Sequence, residues 1–145
     1  MEFHYLIMKT HAILSRRISQ RAQRELGLSP GQPKVLDCLL ENEGSDQKTI
    51  AAICEIEQAT LGSVLNRMEE KGLIERRQCH GNRRSLFVYL TEYGKDTAVK
   101  MRKIFEEEDS AVRAALTQPE QQLINELLEK ICKKSVSDRR KKDES

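Results

Sequence analysis

Apolar residues recur at helical spacing along most of this chain, with one short interruption where the period falls to two. From about residue 3 to 26, Leu6, Ile7, Leu14, Ile18, Ala22 and Leu26 follow the helical period, and Gly27 supplies a stop. "SPGQ" (29–32) predicts a second helix start, with Ser29 as N-cap, Pro30 at the first helical position and Gln32 closing a capping box. That helix carries Val35, Leu36, Leu39 and Leu40 and ends near "NEG". Asp46 is placed to cap a short third helix, "QKTIAAICE", and a break at Ile56-Glu57 leads to a fourth, "QATLGSVLNRMEEKG". Leu61, Val64, Leu65 and Met68 stand at i, i+3, i+4 and i+7 and form one buried stripe, after which Gly72 ends the helix. "LIERRQ" and "SLFVYL" then read as two strands of a β-hairpin joined by "CHGNR". Thr91 starts a long helix to about Ala115, with Ala98, Met101, Phe105 and Val112 inward. "TQPE" (117–120) is a second capping box, and Leu123, Ile124, Leu127, Leu128 and Ile131 stripe the last helix. After Lys134 the periodicity is gone, and 135–145 is expected to be a disordered basic tail.

A short helix, a tight turn, a second helix and a two-stranded hairpin make a winged helix-turn-helix. The expected fold is therefore mainly α with a small β-hairpin wing. Residues 1–28 form an N-terminal helix, 29–94 the winged module and 95–134 two C-terminal helices. The flanking helices carry more apolar stripe than one winged helix covers. A symmetric homodimer is the economical way to bury it, with Leu6, Ile7, Leu123, Leu127 and Ile131 at the interface.

The second helix of such a module lies in the major groove of DNA. With its stripe turned inward, Ala59, Ser63, Asn66 and Glu70 face outward, flanked by Thr60 and Arg67. Gln58 suits adenine, Thr60 and Ser63 suit phosphate or base, Arg67 suits phosphate, and the small Ala59 permits close approach. Gly62 costs the helix about 1 kcal/mol against alanine, which suggests close packing there. Taken alone, these residues also fit an ordinary solvated helix.

The hairpin changes that balance. The whole chain has a formal charge of +2, with 33% charged residues, and does not by itself announce a nucleic-acid partner. Between Lys71 and Arg84, however, Lys71, Arg76, Arg77, Arg83 and Arg84 face only Glu75. Arginine on a slim Gly81-Asn82 turn suits a narrow minor groove, so Arg83 and Arg84 are expected to enter it, with Arg76 and Arg77 further back.

"MEFHYLIMKTHAILSRR" is too short and polar in its apolar run for a signal peptide or membrane span, so a cytoplasmic protein with reduced thiols is expected. The four cysteines include no C-x-x-C pair, and no metal site or cofactor is expected. Cys38, Cys54 and Cys132 fall on or beside apolar helical faces and read as inert core thiols. Cys79, among Arg76, Arg77, His80 and Arg83, is the one placed to react. No nucleophile, base and oxyanion set is visible, so no enzyme is expected.

"SVLNRMEEKGLIERR" followed by "NRRSLFVYLTEYG" resembles the MarR family of bacterial transcriptional regulators. The family pattern is Glu-Lys-Gly-Leu-Ile/Val-x-Arg, then Asp-x-Arg, then a strand ending in Leu-Thr-x-x-Gly, and the match runs from about Ser29 to Gly94. Asn82 stands at the usual aspartate, and Glu57 where Asp or Ser is common. The resemblance implies a homodimeric regulator, read here as a repressor, on a pseudo-palindromic double-stranded operator. It also implies release by a small, often aromatic, ligand held between the N-terminal helix and the winged domain, where His11 and Ser15 are candidates. The alternatives are a winged-helix protein-interaction module that never touches DNA, and a thiol-based regulator acting through Cys79.

Overall fold

The computed structural model describes residues 1–78 and 86–145. Cys79, Arg83, Arg84 and the Gly81-Asn82 turn lie outside the described residues. The elements run α1 (Phe3–Leu26), α2 (Gln32–Asn42), β1 (Ser45–Asp46), α3 (Gln47–Cys54), α4 (Gln58–Glu70), β2 (Ile74–Gln78), β3 (Leu86–Leu90), α5 (Glu92–Arg113) and α6 (Gln118–Asp143). The chain divides into two compact units, Met1–Glu108 and Asp109–Ser145.

The first unit holds the core. Leu36, Leu39, Ile50, Leu61, Leu65 and Met68 are fully buried where α2, α3 and α4 meet, and Leu73, Ile74, Val88 and Met101 extend the core under the sheet and α5. Each such side chain contributes about 1.5–3 kcal/mol over an exposed position. Within α4 the buried residues are Leu61, Val64, Leu65 and Met68, the predicted stripe. Asp46 accepts from the Thr49 N–H at 2.8 Å and caps α3 as expected. Along α5, Ala98 and Met101 are buried, while Phe105 and Val112 are only half-buried.

Three local expectations need correcting. The start of α2 is two residues later than Ser29 as N-cap implied: Gly31, at φ 87°, is the N-cap and the proline in the first turn is Pro33. Half of the expected box survives, since Ser29 N–H donates to Gln32 Oε1 at 3.0 Å. Gly31 takes the left-handed conformation, and a Cβ there would come within 3.1 Å of Val64 on α4. The pattern also missed β1, which pairs with β3 through Ser45↔Val88 and Asp46↔Phe87 and makes the sheet three-stranded, in the order β1-β3-β2. Two residues are too few to show a period.

The third correction concerns the tail. In the second unit, Thr117 and Glu120 form the predicted capping box, and α6 then continues to Asp143 instead of fraying after Lys134. Arg139, Arg140, Lys141 and Lys142 are good helix formers without any apolar stripe, and Arg140, Lys141 and Lys142 suit the negative end of the helix dipole. Ser135 Oγ donates back to Ile131 O at 3.0 Å. No residue of α6 is buried within the single chain.

Candidate nucleic-acid interface

The start of α5 fixes the base of the wing. Thr91 Oγ1 accepts from Gly94 N–H at 2.9 Å, which caps the helix, and donates to Gly72 O at 2.6 Å. Thr91 N–H donates to Leu73 O at 3.1 Å. Gly94 is held so close to the segment leading into β2 that a Cβ on it would lie 1.9 Å from Leu73 O. The Leu-Thr-x-x-Gly pattern is thus a steric device that brings the end of β3, the start of β2 and the first turn of α5 together. Gly72, at φ 76°, makes the turn out of α4.

The outer face of α4 carries Gln58, Ala59, Thr60, Ser63, Asn66, Arg67, Glu69 and Glu70, all exposed. Its N-terminal half is uncharged. Glu57 is the N-cap but makes no side-chain cap bond, so the first-turn N–H groups keep their partial positive charge for an outside acceptor. Gln47 Nε2 donates to Gln58 O at 3.2 Å, tying α3 to the start of α4. A Cβ at Gly62 would meet Gln47 Nε2 at 3.4 Å, an ordinary contact, so close packing within the chain does not account for that glycine.

The cations split into two sets. Lys71 Nζ donates to Gly27 O at 3.0 Å and Gln32 Oε1 at 3.1 Å, so it stitches the end of α4 to the α1–α2 junction. Arg76 Nε donates to Glu69 Oε2 at 3.2 Å, and its Nη2 bonds Asn66 Oδ1. Arg77 lies 4.3 Å from the Tyr89 ring centroid and pairs with Glu75. Lys71 and Arg76 are therefore engaged inside the fold. Arg83, Arg84 and Cys79 lie outside the described residues.

His11 and Ser15 do come together. His11 Nε2 and Ser15 Oγ hydrogen-bond at 3.2 Å on one face of α1. They border a cleft of about 550 Å³ whose other walls include Ile18, Ala22, Leu28, Pro30, Pro33 and Phe105, with Arg16 and Lys34 as its cations. Sequence reasoning missed Lys34 and the Leu28–Gly31 wall, because the later start of α2 is what frees that segment to line a cavity. Nearby, Glu108 accepts from Arg17 at 2.6 Å and Arg21 at 3.3 Å, and the Arg17 guanidinium holds its carboxyl below the usual range.

The thiols are sorted differently from expectation. Cys38 and Cys54 are buried, and Cys54 Sγ donates to Lys34 O at 3.6 Å. Burial pushes the Cys54 thiol up to about 12 and raises that of Cys38. Cys132 is exposed, not a core thiol. The proposed interface residues are exposed too: Leu6 at 48% and Ile7 at 43% on α1, and Leu123, Leu127 and Ile131 at 53%, 48% and 50% on α6.

Residues 28–86 match the model of the MarR family. The HTH-type transcriptional repressor Rv2887 of Mycobacterium tuberculosis is 28% identical over 127 residues, which is 88% of this chain and 91% of the repressor. A putative transcriptional regulatory protein for the hcr operon of Thauera aromatica is 26% identical over 105 residues. That match takes in 72% of this chain and 63% of its relative. The crystal structure of Rv2887 in complex with DNA aligns at a TM-score of 0.74 and 25% identity, covering 90% of this chain and 98% of that one. The Rv2887 complex with salicylic acid aligns at 0.73 and 27%, covering 90% and 96%.

Proposed function

Since this chain belongs to the MarR family of transcriptional regulators, we propose that it binds a pseudo-palindromic double-stranded operator as a homodimer. In this reading it acts as a cytoplasmic repressor that a small aromatic ligand releases. One observation carries the reading: the N-terminal half of α4 is exposed, small and uncharged, while its opposite face is wholly buried. Such a helix enters a major groove without a charge or bulk penalty. Gln58, Thr60 and Ser63 then meet base edges or phosphate, Ala59 allows close approach, and Arg67 meets phosphate. Arg83 and Arg84 enter the minor groove beside it. The relatives are named as regulators rather than enzymes, and no catalytic role is assigned. No helix among the described residues is long and apolar enough to cross a membrane.

Dimerisation follows from the exposed apolar positions of α1 and α6, which a second copy would cover. A carboxylated aromatic ligand, of the kind seen with Rv2887, suits the cleft. Its ring would lie among Ile18, Ala22 and Phe105, its carboxylate toward Lys34 or Arg16, and its hydroxyl toward His11 and Ser15. Release has a physical route: Gly31 is both a wall of the cleft and the seat of Val64 from α4. A ligand that moves Gly31 therefore moves the reading helix.

The test is duplex binding across a salt series, with a candidate operator and a scrambled control. Gln58→Ala and Ser63→Ala are expected to relax preference at particular base pairs, by about 1–3 kcal/mol where the lost contact is bidentate. If both variants discriminate as the wild type does, α4 is not the reader. If the wild type itself prefers no duplex, the winged helix serves a protein partner.

A further inference from the structure

Asn66 stands on the reading face, since Ala59, Ser63 and Asn66 are spaced i, i+4, i+7 and all are exposed. Seven residues of helix rise about 10.5 Å, which is within the roughly 12 Å width of the major groove. This side chain is not free to choose its hydrogen bonds. Its Oδ1 accepts from Arg76 Nη2, and Arg76 is itself anchored by the Glu69 carboxylate, through Nε at 3.2 Å and Nη2 at 3.4 Å. The arginine side chain is only 16% exposed. Among the described residues nothing accepts from Asn66 Nδ2.

A free asparagine pairs with adenine in a bidentate fashion, giving a hydrogen to N7 and taking one from N6. Here one of the two Oδ1 lone pairs is engaged, and the adjacent guanidinium polarises the amide, strengthening the two Nδ2 donors and repelling any further donor that approaches the oxygen. Guanine presents two major-groove acceptors, O6 and N7, and no donor. We infer that Asn66 reads a guanine through a donor-only amide, and that Arg76 is the positioning residue that makes it so without touching DNA. The inference rests on α4 being the operator-reading helix.

The experiment compares the full-length wild type, Ser63→Ala, Asn66→Ala and Arg76→Ala on a duplex panel in which each operator base pair is replaced in turn, over a salt series. Asn66→Ala is expected to lose about tenfold in affinity on duplexes carrying one particular G·C pair and to be indifferent to its replacement by A·T. Arg76→Ala is expected to narrow the guanine-over-adenine preference at that same pair, with the log–log salt slope unchanged. A uniform loss for Asn66→Ala across all duplexes would make it a phosphate contact, and no loss would make it a bystander; either overturns the inference. A salt slope that falls by about one unit in Arg76→Ala would make Arg76 a phosphate ligand and overturn it too. A wild type without sequence preference would remove the premise instead, whereas an effect of Ser63→Ala with none of Asn66→Ala would leave the premise standing and refute only this step. Asn66 faces solvent, so its variant leaves the core intact and decides the matter even where Arg76→Ala folds poorly.

Discussion

At the scale of single residues, the strongest constraint is a missing side chain. A methyl group on Gly94 would overlap Leu73 O, a backbone atom just before β2 that cannot swing aside. Gly94→Ala is therefore expected to destabilise the protein by about 3 kcal/mol, measured by urea unfolding, the upper part of the usual range for overpacking. The cysteines give a second residue-scale outcome. Cys132 should react with a thiol reagent at the rate of an exposed thiol, while Cys38 and Cys54 should wait for opening of the α2–α3 contact. Equal labelling of these three in the native protein would contradict their burial. A third outcome concerns Glu108, whose carboxyl is lowered by Arg17. A depressed acid adds stability above its unfolded value of about 4.3 and loses it as pH falls through its folded value. Glu108→Gln should then cost about 1.5 kcal/mol at neutral pH, with the gap to wild type closing below about pH 4, as read from thermal melts on either side of that value.

At the scale of elements, legibility followed periodicity. The stripe Leu61, Val64, Leu65, Met68 gave α4 its inward face, and the outward set Gln58, Ala59, Thr60, Ser63 follows from the same spacing. Thr117 with Glu120 located the start of α6, since a capping box is a local signal. The same kind of signal misplaced α2. Ser29 and Gln32 carry the right spacing, but Gly31 supplies the left-handed turn that lets Val64 pack, and a tertiary contact outweighed the local preference. The tail beyond Lys134 was misread because absence of an apolar stripe says nothing against helix formers. The engaged state of Lys71 and Arg76 was invisible for another reason. The partners of Lys71, Gly27 and Gln32, lie 44 and 39 residues away, and those of Arg76, Glu69 and Asn66, lie on α4 before the basic segment begins, so counting charge from Lys71 to Arg84 does not include them.

At the scale of the molecule, each unit leaves apolar surface uncovered by its own chain. Leu127 and Ile131 lie in the second unit and Leu6 and Ile7 in the first. Replacing Leu127 and Ile131 together by glutamate is expected to shift the protein from dimer to monomer or aggregate, by light scattering, and to abolish operator binding, because two half-sites would no longer be joined. A wild type that is monomeric at micromolar concentration would overturn the proposed assembly. The small strand β1 has a consequence of a different kind. By pairing Ser45 and Asp46 with β3, it occupies the backbone groups that the central strand would otherwise turn toward solvent. The two rims of the described sheet are then β1, only two residues long, and β2, where Glu75, Arg76 and Arg77 follow in succession. Along the described residues, strands of neighbouring molecules find no long, uncharged edge to join, which lowers the hazard of cross-β aggregation.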